Sequence, residues 1–103
     1  MKSETKTPML LFFVTTRSGP ARRMESLLAH LARKERERLR VARIDADASP
    51  EWIERLKVTE IPTLILIKDR RPVARLDGRA SAPQIERMLA PHLSPGRKAQ
   101  AAA

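Results

Sequence analysis

The clearest hydrophobic feature of the chain is a short run at residues 9–15 that begins Met-Leu-Leu-Phe-Phe-Val. An unbroken apolar run of this length predicts a strand buried on both faces, as a central strand of a sheet is. The period then changes, because Met24, Leu27, Leu28 and Leu31 recur at helical spacing with charged residues between them. The pattern therefore predicts a buried strand that leads directly into an amphipathic helix.

A second strand and a short helix follow. Residues 39–45 predict the strand, and a polar turn comes after it. Ser49 and Pro50 are typical of the N-cap and first residue of a helix, which we expect over residues 51–57. Trp52 is expected to pack this helix against the sheet.

Two adjacent strands and a last helix complete the pattern. Residues 64–67, Leu-Ile-Leu-Ile, form one strand, and a tight turn leads into residues 72–77. Pro72 has no N–H to donate, so this last strand is expected at a sheet edge. Ser81 and Gln84 have the spacing of a capping box, which predicts the start of a final helix. The order is β-α-β-α-β-β-α, an α/β fold class.

Composition narrows the chemistry. The chain has 103 residues, which fits one small domain, and it contains no cysteine. A disulfide, a thiolate nucleophile and a cysteine metal site are therefore excluded within it. The formal net charge of +9 suggests an acidic partner, although such an excess can also serve solubility alone. No aromatic residues interleave with the basic ones as a nucleic-acid stacking surface would require.

The remaining composition predicts a cytoplasmic protein that does not associate with membranes. Six apolar residues after Pro8 are too few for the apolar core of a signal peptide, and no stretch approaches a transmembrane helix. His30 and His92 have no partner at metal-ligand spacing. We predict no metal site and no cofactor. Residues 1–8 are expected to be a flexible N-terminal segment and residues 94–103 a flexible tail, flanking one domain at 9–93.

Four landmarks in order resemble the thioredoxin family. They are Arg17-Ser18-Gly19-Pro20-Ala21 after the first strand, Val41-Ala42-Arg43-Ile44-Asp45-Ala46-Asp47, Ile61-Pro62-Thr63 before the third strand, and Gly78 after the hairpin. The resemblance covers about residues 9–93 and implies a shortened thioredoxin-like fold with a cis Pro62. It implies a four-stranded mixed sheet of order 2-1-3-4 with the last strand antiparallel. The first and third helices would flank one face and the short helix the other.

The chain departs from the family at the positions that carry its chemistry. The family turn reads Trp-Cys-Gly-Pro-Cys, and here Ser18 and Ala21 stand in place of the two cysteines. Thiol–disulfide exchange needs one thiolate to attack and a second thiol to resolve the mixed disulfide. The family's buried carboxylate falls at Phe12, the nearby lysine at Arg43 and the tryptophan at Arg17. The resemblance therefore predicts a redox-inactive protein that is not an enzyme.

The degenerate turn suggests a structural role for Ser18 and a recognition role for the arginines beside it. Ser18 is expected to cap the first helix, because a nucleophilic serine needs a base within reach and both histidines fall in helices elsewhere. Arg17, Arg22 and Arg23 flank that helix N-terminus and could bind an anion. The alternative is that they are ordinary exposed arginines.

Two further hypotheses concern the pairing of this chain with an extended segment of a partner or of a second copy. In the family, the backbone beside the cis proline pairs with an extended peptide, so Ile61, Pro62 and Thr63 could retain that role. The alternative is that Pro62 is kept for folding alone. The eight residues before Met9 are too few for the first strand and helix of the family, so we expect the edge at Arg40 to Asp45 to be open for strand addition or a dimer unless charge guards it.

Three functions follow. The first is a non-catalytic module that binds a protein or peptide through the Ser18 turn and the Pro62 loop. The second is a thioredoxin-family role in thiol redox homeostasis or chaperoning, with thiols supplied by a partner. The third, based on charge alone, is a basic protein associated with nucleic acid.

Overall fold

Strands and helices alternate in the order that the hydrophobic pattern predicts. The computed structural model describes residues 7–15 and 21–93. The elements are β1 Met9–Val14, α1 Ala21–Lys34, β2 Arg40–Asp45, α2 Pro50–Arg55, β3 Thr63–Lys68, β4 Arg71–Asp77 and α3 Ala82–Leu89. Short 3₁₀ helices follow β2 at Ala46–Ala48 and α3 at Ala90–His92.

The four strands form one mixed sheet of order β2-β1-β3-β4, which confirms the predicted order. β1 and β2 are parallel, as expected for neighbouring strands that are joined by the crossover helix α1. β4 is antiparallel to β3, as predicted, and lies at the edge where Pro72 is tolerated. β3 is also antiparallel to β1, a direction that the apolar pattern had not specified.

Strand β1 is buried on both faces, so the core has two layers. One layer joins β1 to α1 and α3 through Leu10, Phe12, Val14, Met24, Leu28, Ile85 and Leu89. The other joins β1 to the α2 side through Leu11, Phe13, Val58 and Ile65, with Ile53 and Leu56 packed against them. This arrangement confirms that α1 and α3 share one face and that α2 covers the other.

The predicted role of Trp52 is wrong. Its side chain is 44% exposed, and Ile53 and Leu56 pack α2 against the sheet instead. The indole lies 5.9 Å from the guanidinium of Arg55, within cation–π range. Pro50 is the first residue of α2 as predicted, but Ser49 makes no side-chain capping bond. By contrast, both hydrogen bonds of the Ser81–Gln84 capping box are present.

β1 begins at Met9, as predicted, and one further hydrogen bond joins the residue before it to β2. Pro8 is buried, and its carbonyl accepts a hydrogen bond from the Arg40 N–H at 3.0 Å. Residues 1–6 of the predicted N-terminal segment 1–8, and the whole predicted tail 94–103, lie outside the described residues. Within residues 7–15 and 21–93, no helix is long and apolar enough to span a membrane.

The turn between α1 and β2 is held by a charged hydrogen bond. Arg38 Nε donates to Glu35 Oε1 at 2.6 Å, and this bond lowers the pKa of Glu35 below its ordinary value. A lowered pKa in the folded state means that the carboxylate stabilises the fold above its unfolded pKa. That stabilisation is lost as the pH falls through the folded pKa.

We predict that Glu35→Gln lowers the melting temperature at pH 7, and that the difference from the natural chain shrinks between pH 7 and pH 3 as the Glu35 carboxylate becomes progressively protonated. Thermal unfolding of both proteins across this pH range checks the difference. An effect of the same size at both pH values would contradict a carboxylate-dependent contribution.

Candidate functional site

Two candidate segments meet at one end of the sheet. β1 ends at Val14, and its residue Phe13 pairs with Thr63, the first residue of β3. The Pro62 loop therefore lies beside the end of β1. Helix α1 begins at Ala21 shortly after that strand end, so its first turn lies at the same end.

The Pro62 loop is anchored to the ends of β3 and β4. The Ile61–Pro62 peptide bond is cis, as the resemblance implied. The Gly78 N–H donates to the Pro62 carbonyl at 2.7 Å, and the Thr63 hydroxyl donates to the Glu60 carbonyl. Pro62 and Thr63 are both buried. The loop is thus tied to the sheet at two points.

Ile61 differs from its neighbours because its backbone is unpaired. Its side chain is half-buried against the α2-side core layer. Within the described ranges, neither its N–H nor its C=O takes part in a hydrogen bond. A residue with a fixed backbone and open hydrogen-bonding groups can pair with an extended chain.

Gly78 is placed where another residue would be strained. Its φ is +82°, and a Cβ added there would lie 2.9 Å from a Glu60 carboxylate oxygen. A backbone in this left-handed region favours glycine whichever side chains surround it. Gly78 therefore brings β4 back onto the Pro62 loop.

The degenerate turn lies largely outside the described residues. Arg17, Ser18, Gly19 and Pro20 fall there, and of Ala21 only the backbone at the start of α1 is described. The predicted cap by Ser18 and the predicted anion contact of Arg17 thus stay predictions.

Arg22 and Arg23 lie in the first turn of α1 and are exposed. That turn contains no acidic residue, and no ion pair in the described part of the chain involves either arginine. Cationic side chains at a helix N-terminus are repelled by the helix dipole, because that end already carries partial positive charge. The two arginines therefore concentrate positive charge at the α1 start.

The positions of the family's proton-transfer groups hold an apolar side chain and an ion pair. Phe12 is 2% exposed and lies in the core layer beneath α1. Its register partner is Arg43, whose Nε donates to Glu25 Oε2 at 2.6 Å and so ties β2 to α1. Sequence reasoning missed this pair, because the residues are eighteen apart and no local pattern joins them.

Sequence reasoning also missed a surface groove of about 630 Å³ between the starts of α1 and α3. Arg23, Met24, Leu27 and Gln84 contribute to its lining. In the sequence, the helical spacing of Met24 and Leu27 was the only sign of this groove. The same spacing is expected of residues that pack in the core, so it did not indicate a groove. Within the described residues, no group of His, Asp or Glu side chains could hold a metal ion.

Comparison with known proteins agrees with this geometry. The thioredoxin family profile matches residues 2–91. Thioredoxin of Mycobacterium tuberculosis is 39% identical over 71 residues, which is 69% of this chain and 61% of that protein. The match thus spans less than two thirds of that relative. Thioredoxin of Alicyclobacillus acidocaldarius is 36% identical over 83 residues, covering 81% of this chain and 79% of that protein.

A solved structure shows the same fold. The crystal structure of the germline-specific thioredoxin protein Deadhead from Drosophila melanogaster superposes with a TM-score of 0.79 at 32% identity. The superposition covers 87% of this chain and 85% of that one.

We predict that Gly78→Ala lowers the free energy of unfolding by about 1–2 kcal/mol, mainly through the left-handed backbone. Urea denaturation measures it. In a Glu60→Ala background the steric contact is absent but the left-handed backbone remains. Gly78→Ala should therefore still lower the free energy of unfolding by most of that amount. An unchanged denaturation midpoint for Gly78→Ala in both backgrounds would contradict this account of the loop.

Proposed function

The chain belongs to the thioredoxin family and contains no cysteine, and from this premise we propose that it is a redox-inactive member that binds an extended protein or peptide segment. The proposed site combines the Pro62 loop with the turn at Ser18 and the arginines that follow it. The reaction class of the family is not available to this chain, because thiol–disulfide exchange requires a thiolate.

The open backbone of Ile61 is the observation that carries the peptide-binding proposal. Its N–H and C=O have no partner among the described residues, while hydrogen bonds to Gly78 and Glu60 anchor the residues on either side. An incoming extended segment could form a short two-way pairing with Ile61 without first ordering the loop. Preordering of this kind reduces the entropy lost on binding.

The charge near the loop favours an acidic segment. Arg22 and Arg23 are exposed at the α1 start, at the same sheet end as the loop. Arginine donates through a planar fork that fits carboxylates, so acidic side chains beside the paired backbone would add contacts. Ser18 and Arg17 are proposed to contribute from the turn itself.

The outer edge of β2 is a second candidate surface for a protein partner. In the described residues no strand pairs with its outer side, so a second copy could add through Arg40–Asp45. Arg40 places charge at that edge, whereas the charge of Arg43 is compensated by Glu25, and an exposed charge of this kind opposes unselective pairing.

We predict that a capped, unstructured peptide of Glu, Thr and Val shifts the amide resonances of Ile61, Thr63, Arg22 and Arg23. A ¹H–¹⁵N titration in low salt measures this, and a peptide with Lys in place of each Glu should give no such shifts. No perturbation at Ile61 and Thr63 at saturating acidic peptide would end the peptide-binding proposal.

A matched pair of variants separates the arginine contribution from net charge. Arg22→Ala with Arg23→Ala should weaken acidic-peptide binding about tenfold, which corresponds to about 1.4 kcal/mol. Arg55→Ala with Arg87→Ala removes the same charge elsewhere and should leave it within about twofold. Equal weakening in both variants would mean that general charge, and not the α1 start, recruits the peptide.

A further inference from the structure

The end of the sheet opposite the Pro62 loop collects basic side chains from three parts of the chain. Register places Arg40, Met9 and Ile67 in one row across the sheet, with Pro72 beside Ile67. The β3–β4 turn extends beyond that row. The turn at residues 35–38, which leads from α1 to β2, lies at the same end because it runs directly into Arg40.

Five exposed arginines at this end have no side-chain ion-pair partner in the described part of the chain. They form what we call the basic pole: Arg33, Arg36, Arg40, Arg70 and Arg71. Among the described residues of the two turns at this end, Glu37 and Asp69 are the carboxylates left to oppose them, because Glu35 is held by Arg38. The pole therefore carries a net positive charge, and its arginines have no ion-pair partner within the described part of the chain.

Other basic residues at this end are already engaged and do not belong to the pole. Lys68 Nζ donates to the His92 carbonyl at 3.0 Å, which also fixes the end of the last helical turn beside the β3–β4 hairpin. Lys34 approaches Glu86 at 4.0 Å. The contrast indicates that the five arginines are available to a ligand, whereas neighbouring cations stabilise the fold.

We propose that the basic pole binds the phosphate backbone of double-stranded nucleic acid without reading its sequence. Arginine forks match phosphate oxygens and tolerate partial dehydration. The row from β2 to β4 spans about 14 Å at the usual strand spacing, which is comparable with the width of a duplex groove. Arginines at both ends of the row can thus contact phosphates on either side of a groove.

The available side chains argue against base stacking and against a lipid surface. The described aromatic residues are Phe12 and Phe13, which are buried, and Trp52, which lies on α2. Single strands are usually held by aromatic stacking, so the pole should not prefer them. Met9 and Val73 are the exposed large apolar residues near it, and each is only 38% exposed. Neither offers a deep membrane anchor.

The test is fluorescence anisotropy of a labelled duplex of about 20 base pairs with the full chain. Binding should be micromolar at about 50 mM KCl and should weaken steeply with salt, since counterions are released from the phosphates. A single strand of the same length should bind no more tightly than the duplex. Absence of binding at low salt, or a tenfold preference for the single strand, would overturn the proposal.

Two triple variants locate the binding surface, and each removes three of the +9 formal charges. Arg36→Gln, Arg70→Gln and Arg71→Gln alter the pole. Arg55→Gln, Lys57→Gln and Arg79→Gln lie on the α2 side or beyond β4 at the other end. Each variant changes one residue with a positive φ, Arg70 or Lys57, so the backbone strain that glutamine meets is comparable in the two variants.

The pole variant should bind duplex at least tenfold more weakly. The slope of log K against log salt should also become shallower by about 0.9 for each phosphate that the variant no longer neutralises. The control variant should stay within about twofold. Equal weakening in both variants would assign the effect to diffuse charge and overturn a localised site.

Tighter binding to phosphatidylserine vesicles than to duplex would overturn the choice of nucleic acid. Because the pole is remote from Ile61, either failure leaves the peptide-binding proposal in place.

Discussion

Burial of β1 on both faces is the constraint on which the rest of the structure depends. The strand is hydrogen-bonded to neighbours on both sides, and Leu10 through Val14 are at most 5% exposed. A carboxylate buried in such a strand without a partner lowers the stability of the fold, whether or not a reaction uses it. Phe12 occupies the position where the family resemblance places that carboxylate. With no thiol to serve, an apolar residue there completes the core layer under α1 and α3.

The Pro62 loop depends on the sheet and not on the missing chemistry. Gly78 and Thr63 hold it through hydrogen bonds that involve no residue of the degenerate turn. The loop can therefore keep its shape without the cysteines, and the open backbone of Ile61 remains available. Under the proposed function, the positive charge at Arg22 and Arg23 favours an acidic partner at this end of the molecule. The proposed function follows from a retained surface whose reactive groups have been replaced.

Strong local patterns made much of the fold predictable, and weak or nonlocal ones did not. The doubly buried run of β1, the Ser81–Gln84 box and the Pro62 loop each have a signature that a few adjacent residues contain. An apolar run has no inherent direction, so the antiparallel course of β3 was not foreseen. Helix α2 has only six residues, too few for helical period to show that Ile53 and Leu56, and not Trp52, face the sheet. The Glu25–Arg43 pair and the basic pole arise only when distant segments meet. The turn at residues 16–20 was predicted from sequence, and the described residues do not test it.

The central claim is that the chain keeps a thioredoxin scaffold from which the redox groups have been removed. Insulin disulfide reduction with dithiothreitol as the reductant tests it most directly, comparing the natural chain with a Ser18→Cys, Ala21→Cys variant. We predict that the natural chain gives no rate above dithiothreitol alone and that the variant accelerates the reaction, because β1, α1 and the cis Pro62 loop on either side of the turn are present. Acceleration by the natural chain, or a folded variant that remains inert, would contradict the claim.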